Sequence, residues 1–341
     1  MISDLEGYDF SENLNYFENT TNILGDSRIV ISGASGFVGK WISELLFQIS
    51  REFSLDFEIV MLTRNEAAFR KGISGELQDG FSIIESDISR QDVSVGSVSH
   101  IIHAATPTSS LNYSRGEVIG ASLNGAKNLI QSITNSSFPP IFLNLSSGAV
   151  YELNSLGSGF LTLHSPLKNL VVQRNFADEY AKAKVETELL INLETSKGNI
   201  IGCNPRLFAF FGPLLPLDQK YAIGNFMSSA IQKKSIKLKS NGLSERSYLH
   251  AAHLASQMVF LLSNPVLGAS HVGSSEAMSI ISWAQYISDM FHCGPVVLGD
   301  SEETNTCYVP EPDSRIPPID ISAKDRDQLF RNWFNWLNLQ K

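Results

Sequence analysis

Residues 28–50 read RIVISGASGFVGKWISELLFQIS, and this stretch decides the fold. RIVIS is a short β-branched run of the kind that forms a buried strand, and it ends on Gly33. GASGFVG follows as a turn, and behind it Phe37, Trp41, Leu45 and Leu46 recur at helical spacing. Gly33, Gly36 and Gly39 thus form G-x-x-G-x-x-G between a strand and a helix. There the first glycine permits the tight turn, the second lets backbone approach a pyrophosphate, and the third lets helix pack closely on strand. The helix start, with Ser35, Phe37 and Val38 around it, then offers unpaired N–H groups and a positive dipole end to phosphates. A bare glycine triplet is weak, but a strand before it and a helix after it make it specific for a dinucleotide.

Reading outward, strands are expected at 57–64 (FEIVMLTR), 81–88 (FSIIESDI), 100–106 (HIIHAAT), 140–147 (PIFLNLSS) and 199–208 (NIIGCNPRLF). Helices are expected at 118–134 and roughly 176–196. Strands alternating with helices indicate an α/β fold, a Rossmann-type doubly wound parallel sheet. After about residue 207 the texture loosens into GPLLPLDQ and a helix-rich segment, IGNFMSSAIQKK. The expected organisation is an N-terminal extension over 1–27, a dinucleotide-binding domain over 28–206, and a smaller substrate-binding lobe over 207–341. Some segments of that lobe return to the first domain.

The end of the second strand bears on the cofactor. A carboxylate there would bind the ribose 2′-hydroxyl and repel a 2′-phosphate. This chain has Thr63 and then Arg64, whose planar fork suits a phosphate. The expectation is NADP(H), with NAD the alternative.

Composition bounds the rest. The 341 residues are 43% hydrophobic and 18% charged, so the chain can bury a sizeable core. A net charge of −9 makes nucleic acid or an anionic membrane a poor partner. Cys203, Cys293 and Cys307 are odd in number and far apart, which suits a reducing compartment and suggests neither a disulfide framework nor a metal site. The acidic start MISDLEGYDFSEN is unlike a signal peptide, and no apolar run is long enough for a bilayer, so the cytoplasm is the expected location.

GASGFVG, SDI, HAA, SSGAVY, Tyr180-x-x-x-Lys184, RLFAFFGP and RSYLH occur in one order along the chain. In that ordered set, from about Arg28 to Ser288, the chain resembles the extended short-chain dehydrogenase/reductases, a group of NAD(P)-dependent nucleotide-sugar epimerases, dehydratases and reductases. The resemblance implies that Asp87 and Ile88 edge the adenine, although Asp87 by itself also reads as a turn-former. It implies that His103, Ala104 and Ala105 line the cofactor's path, with no proton chemistry assigned to His103. It also allows a homodimer.

Tyr180 and Lys184 stand at i and i+4 and share a helix face. A phenol is a poor base at neutral pH, and a neighbouring ammonium favours its phenolate. In the family pattern the third catalytic member is the Ser or Thr four residues before the Tyr of Val-Tyr, here Ser147, which would also contact substrate. Arg246 matches the arginine that holds the nucleotide's diphosphate, and Asn225 matches a substrate-contacting asparagine.

Four departures narrow the reaction. Family 4,6-dehydratases place Asp-Glu after that Ser or Thr, and sugar-acid decarboxylases place a Glu; this chain has Gly148 and Ala149, which transfer no proton. Ala209 replaces an amide that often contacts substrate, and Ala252–His253 replace an Asp-Asp pair. The leading expectation is an NADP(H)-dependent reductase of a nucleotide-linked keto-sugar. An NAD-dependent epimerase is second. A non-catalytic dinucleotide-binding scaffold is third; it would be signalled by loss of Tyr180 or Lys184, and both are present.

Overall fold

The structure is a computed structural model that describes all residues except 1–4, 6–9, 15–16, 18–23, 72–80, 91–92, 108–115, 135, 154–158, 171–174, 218–220, 302–303, 320–321 and 341. Its centre is a parallel sheet of strands β1 (Arg28–Ser32), β2 (Glu58–Thr63), β3 (Ser82–Glu85), β4 (His100–His103), β5 (Ile141–Asn144), β6 (Ile201–Leu207) and β7 (Gly268–Val272). They lie in the order β3-β2-β1-β4-β5-β6-β7, and the short strand Ser146–Ser147 also pairs with β6. The direction of winding reverses between β1 and β4, where Ser32 and His103 are register partners. A crevice opens beyond the strand ends at such a switch point, the usual ligand site of open α/β sheets.

Both faces of this sheet are covered, so its strands need not alternate apolar with polar. In β1, Ile29 and Ile31 join one core with Trp41, Leu45, Leu254 and Met258. Val30 joins another core with Ala126, Leu129 and Ile191. Helix α1 (Phe37–Glu52) therefore covers the first face, and α2 and α3 (Phe176–Ser196) cover the second. Helix α2 is assembled from Glu117–Ile119, a π-type turn over Gly120–Asn124, and Gly125–Gln131. The expected strands are present with ends trimmed by one to a few residues, strand 140–147 divides into β5 and Ser146–Ser147, strand 81–88 shortens to β3, the helix expected at 118–134 runs over 117–131, and that at 176–196 keeps its bounds.

Besides short helices at Ser11–Leu14 and Glu66–Lys71, the chain has α4 (Ala222–Ile231), α5 (Ala251–Ser263), α6 (Ile280–Phe291) and α7 (Ala323–Leu339). Helices α4, α6 and α7 build a second core around Phe226, Trp283, Phe330 and Trp333, with Phe211 stacked 4.1 Å from Phe330. Helix α5 and strand β7 belong instead to the sheet: α5 packs on α1, and β7 lengthens the sheet beside β6. Of residues 1–27, Leu5, Phe10, Phe17 and Leu24 are buried in the first core. Phe10 meets Trp41 at 5.7 Å, and the Asn13 amide donates to the Ser256 hydroxyl at 2.8 Å, which ties this segment to α1 and α5.

Candidate active site

The glycine turn is a close contact of backbone with backbone. Gly33 has φ +76°, and a Cβ there would lie 2.7 Å from the Ala104 carbonyl carbon and the Ala105 nitrogen. A Cβ on Gly39 would lie 2.3 Å from the Gly33 carbonyl oxygen. Only glycine meets both demands. Gly36 is the N-cap of α1 and has no side chain to bond the first-turn N–H groups, which leaves them to a ligand's phosphates. Ser35, Phe37 and Val38 flank that opening, and Ala104 and Ala105 stand opposite it at the end of β4.

His103 faces away from this opening. Its ring is fully buried, with Nδ1 2.8 Å from the Ser32 hydroxyl and Nε2 2.9 Å from the Ser122 carbonyl oxygen. Burial, helped by Lys184, pulls its pKa down to about 3, so the neutral ring acts as a packing and hydrogen-bonding group. Arg64 is exposed just past β2, and its charge reaches Asp87 beyond β3. Burial pushes the Asp87 carboxyl up, but the Ser89 hydroxyl and N–H, Arg90 and Arg64 outweigh it and leave the pKa lowered. The Asp87 carboxylate accepts from the Ser89 hydroxyl at 2.6 Å and from its N–H at 3.1 Å, the pattern of an Asx turn. Ile88 is buried beside it, and its carbonyl accepts from the Asn128 amide.

Helix α3 starts where Asn175 caps it by accepting from Asp178 N–H at 3.0 Å. It brings Tyr180 and Lys184 to the end of β5, beside Ser147. Ser147 caps the 3-10 turn Gly148–Val150 by accepting from Ala149 N–H at 3.1 Å. Tyr180 is half-buried. Burial pushes its phenol up to about 12 against the Ser147 hydrogen bond, which lowers it, with Tyr221 adding to the rise.

Lys184 is held differently from the sequence expectation. Its Nζ lies 5.6 Å from the Tyr180 ring centre and donates to the Leu145 carbonyl at 2.5 Å and the Thr106 hydroxyl at 2.8 Å. Burial pulls its own pKa down to about 7 although Glu188 acts the other way. The phenol is therefore not acidified by the chain alone: burial disfavours the charge on both partners. Thr106 had no motif to flag it. Its hydroxyl also donates to Ser122 at 3.2 Å, and Ser122 lies 3.0 Å from Thr187, so the π-type turn of α2 braces the lysine's partner.

Below this cluster lies a buried ion pair. Arg206 Nη2 meets Glu188 at 2.7 Å, Glu188 also accepts from Ser146, and Arg206 donates to the Tyr151 hydroxyl at 2.6 Å. These groups satisfy one another and fix the segment that carries Ser147.

The other side of this cluster comes from the C-terminal part of the chain. The strand Glu245–Arg246 pairs in parallel with Cys307–Tyr308, which sets Arg246 beside Tyr308, with the guanidinium 5.5 Å from the ring centre. Arg246 is half-buried and donates to the Glu245 carbonyl at 2.7 Å and the Thr306 carbonyl at 3.1 Å. Asn225 is half-buried in the first turn of α4, one turn on from Tyr221. Tyr308 is the site residue that the sequence did not single out. Its hydroxyl stands beside Gly148. A Cβ on Gly148 would lie 2.8 Å from that hydroxyl and 2.8 Å from the Phe208 ring.

The model of the NAD dependent epimerase/dehydratase family matches residues 29–273. The chain belongs to that family. UDP-glucuronic acid decarboxylase 1 of Arabidopsis thaliana is 25% identical over 319 residues, covering 92% of this chain and 67% of that protein. UDP-glucuronic acid decarboxylase 1 of Xenopus tropicalis is 20% identical over 291 residues, covering 84% and 66%. The chain thus spans about two thirds of the length of these two relatives. Among solved structures, a UDP-N-acetylglucosamine 4-epimerase from Methanobrevibacter ruminantium in complex with UDP-N-acetylmuramic acid superposes with TM-score 0.76 at 17% identity, covering 93% of this chain and 100% of its own. A UDP-glucuronic acid 4-epimerase from Bacillus cereus in complex with UDP-glucuronic acid and NAD gives 0.72 at 15%, covering 92% and 100%. At these identities the likeness is one of fold. Among the described residues, no helix is long and apolar enough to cross a membrane.

Proposed function

We propose that this chain is an NADP(H)-dependent oxidoreductase that reduces a keto group on a nucleotide-linked sugar. The observation that carries the reading is the floor of the site. Ser147, Tyr180 and Lys184 stand together, while the Cβ space of residue 148 is taken by the Tyr308 hydroxyl and the Phe208 ring. With glycine at 148, the chain presents no acidic side chain there for dehydration or decarboxylation. Decarboxylation is therefore not carried over from the relatives, and hydride transfer with one proton remains.

The turn Gly33–Gly39 and the first turn of α1 would hold the dinucleotide's phosphates, Asp87 and Ile88 would edge its adenine, and Lys184 would hold the nicotinamide ribose. When bound, the nicotinamide supplies the hydride. Tyr180 gives its proton to the oxygen of the carbonyl being reduced, and Ser147 orients that oxygen. Arg64 would favour the 2′-phosphate of NADP(H), Arg246 would suit a diphosphate, and Asn225 would contact the sugar.

Net reduction separates this reading from NAD-dependent epimerisation, which uses the same residues in oxidation and return. Mass spectrometry of the purified protein for co-purifying dinucleotide and sugar nucleotide, followed by NADPH oxidation with a UDP-4-keto-sugar, tests it. Turnover is expected, and Tyr180→Phe is expected to lower it by about 10²–10⁴ while NADPH fluorescence still reports binding. Undiminished turnover in Tyr180→Phe overturns the catalytic assignment. Tightly held NAD with no net NADPH consumption moves the reading to the epimerase.

A further inference from the structure

A row of three hydroxyls ends on the lysine of the candidate catalytic pair. We infer that Thr106 is a positioning residue: the row Ser122–Thr187–Ala183 holds its hydroxyl as an acceptor, so that it fixes the Lys184 ammonium and leaves one N–H for a ligand. This rests on the reading of Lys184 as the group that holds the nicotinamide ribose beside Tyr180.

The direction of the row follows from a count of protons, since each hydroxyl has one. The Thr187 hydroxyl lies 2.7 Å from the Ala183 carbonyl oxygen, which can only accept, so Thr187 donates there. Ser122, 3.0 Å from the Thr187 hydroxyl, must then be the donor of that pair. With its proton committed, Ser122 accepts from Thr106 at 3.2 Å. Thr106 has only lone pairs left, and Lys184 Nζ donates to it at 2.8 Å. One backbone carbonyl thus sets the polarity of the whole row, and it belongs to α3, the helix that carries Lys184.

The three hydroxyls come from three elements. Thr106 follows β4, Ser122 lies in the π-type turn of α2, and Thr187 lies on α3. Ser122 and Thr187 are fully buried, where an unpaired hydroxyl is costly. Ser122 is pinned by its backbone as well, because its carbonyl accepts from the His103 ring at 2.9 Å. An ammonium has three N–H groups. The Leu145 carbonyl takes one at 2.5 Å and Thr106 takes the second. Two fixed bonds on a tetrahedral nitrogen fix the third, which meets no acceptor among the described residues. The titratable groups around Lys184 are Tyr180 and Glu188 on α3 and His103 on β4. Glu188 is bound to Arg206 on β6 and to Ser146, and burial keeps His103 neutral. The oxygens of Thr106 and Leu145 are therefore the direct acceptors that hold the ammonium.

The first measurement needs neither substrate nor dinucleotide. Lysines are labelled with carbon-13 at Cε, whose NMR shift reports ionisation, and Lys184→Met identifies the Lys184 signal by its loss. In the intact protein that signal is expected to titrate near neutrality, because burial pulls the Lys184 pKa down to about 7. Thr106→Val keeps the shape of a half-buried side chain and removes the acceptor. It is expected to lower the midpoint by about one pH unit, since a hydrogen bond to the charged form is lost. Thr106→Ser is expected to restore it. Thr187→Val lets Ser122 turn its proton back on Thr106, where it competes with the ammonium; a smaller fall is expected, and no further fall when it is combined with Thr106→Val. The second measurement is fluorescence titration with NADPH, whose affinity is expected to fall about tenfold in Thr106→Val and to recover in Thr106→Ser. Four outcomes overturn the inference: an unmoved midpoint in Thr106→Val, no recovery in Thr106→Ser, shifts that add in the double variant, or an NADPH affinity indifferent to Thr106→Val. An intact protein that binds no dinucleotide while the lysine shifts are present would instead refute the proposed function and leave the hydrogen-bonded row standing.

Discussion

The two walls of the cleft are built from different material. The dinucleotide wall is backbone against backbone: Gly33 lies on Ala104 and Ala105, and Gly39 lies on the Gly33 carbonyl. The opposite wall is side chain against side chain: Tyr308 and Phe208 meet above Gly148, Arg246 lies over the Tyr308 ring, and Tyr308 and Arg246 ride on two-residue strands. Backbone cannot rotate out of a clash, whereas a ring can shift by a few tenths of an ångström at modest cost. The first wall should therefore tolerate no change and the second should give slightly.

Three substitutions break or sharpen this contrast. The largest effect is expected from Gly39→Ala, whose Cβ would stand 2.3 Å from a main-chain oxygen. A loss of about 3 kcal/mol or more in denaturant unfolding is expected, together with loss of dinucleotide binding. A well-folded variant that still binds NADPH would mean that the turn is not rigid. Gly148→Ala places its Cβ as tightly, at 2.8 Å, but against a ring edge and a phenol tip. A cost of only about 1–2 kcal/mol is expected, with turnover falling more than dinucleotide affinity. Equal damage from the two glycine variants would erase the distinction between the walls. The smallest effect is expected from Arg64→Ala, an exposed residue at the mouth. NADPH affinity should fall about tenfold by fluorescence titration while NADH affinity holds. Equal losses for both would remove the reason for preferring NADP(H).

The pattern of what was legible follows the same division. Strand β1, the glycine turn and α1 are contiguous, so alternation, helical spacing and three glycines spell them out. Helix α5 and strand β7 were not read as part of the sheet. Helix α5 is buried nearly all round, so AAHLASQMVFLLS shows no polar stripe to mark a helix face. Strand β7 is GASHV, whose weak strand residues are held by β6 beside them. The aromatics of the N-terminal extension are polar-flanked in sequence, yet Phe10 and Phe17 are core residues because α1 and α5 leave a groove for them.

The site divides likewise. Tyr180 and Lys184 share a face by helical geometry alone, and Ser147 was reached through the family's ordered motifs. The electrostatics were not legible. A phenol beside a lysine reads as acidified, but burial in the folded chain pushes Tyr180 to about 12 and Lys184 to about 7. Desolvation depends on everything packed around a charge, and no spacing rule contains it.

By itself the sequence determined the α/β class, the dinucleotide turn and the pairing of Tyr180 with Lys184, because each depends on backbone geometry over a few consecutive residues. Only the tertiary structure decided that Tyr308 and Phe208 stand over Gly148 and that Thr106 holds Lys184. Those outcomes depend on which distant side chains share one small volume.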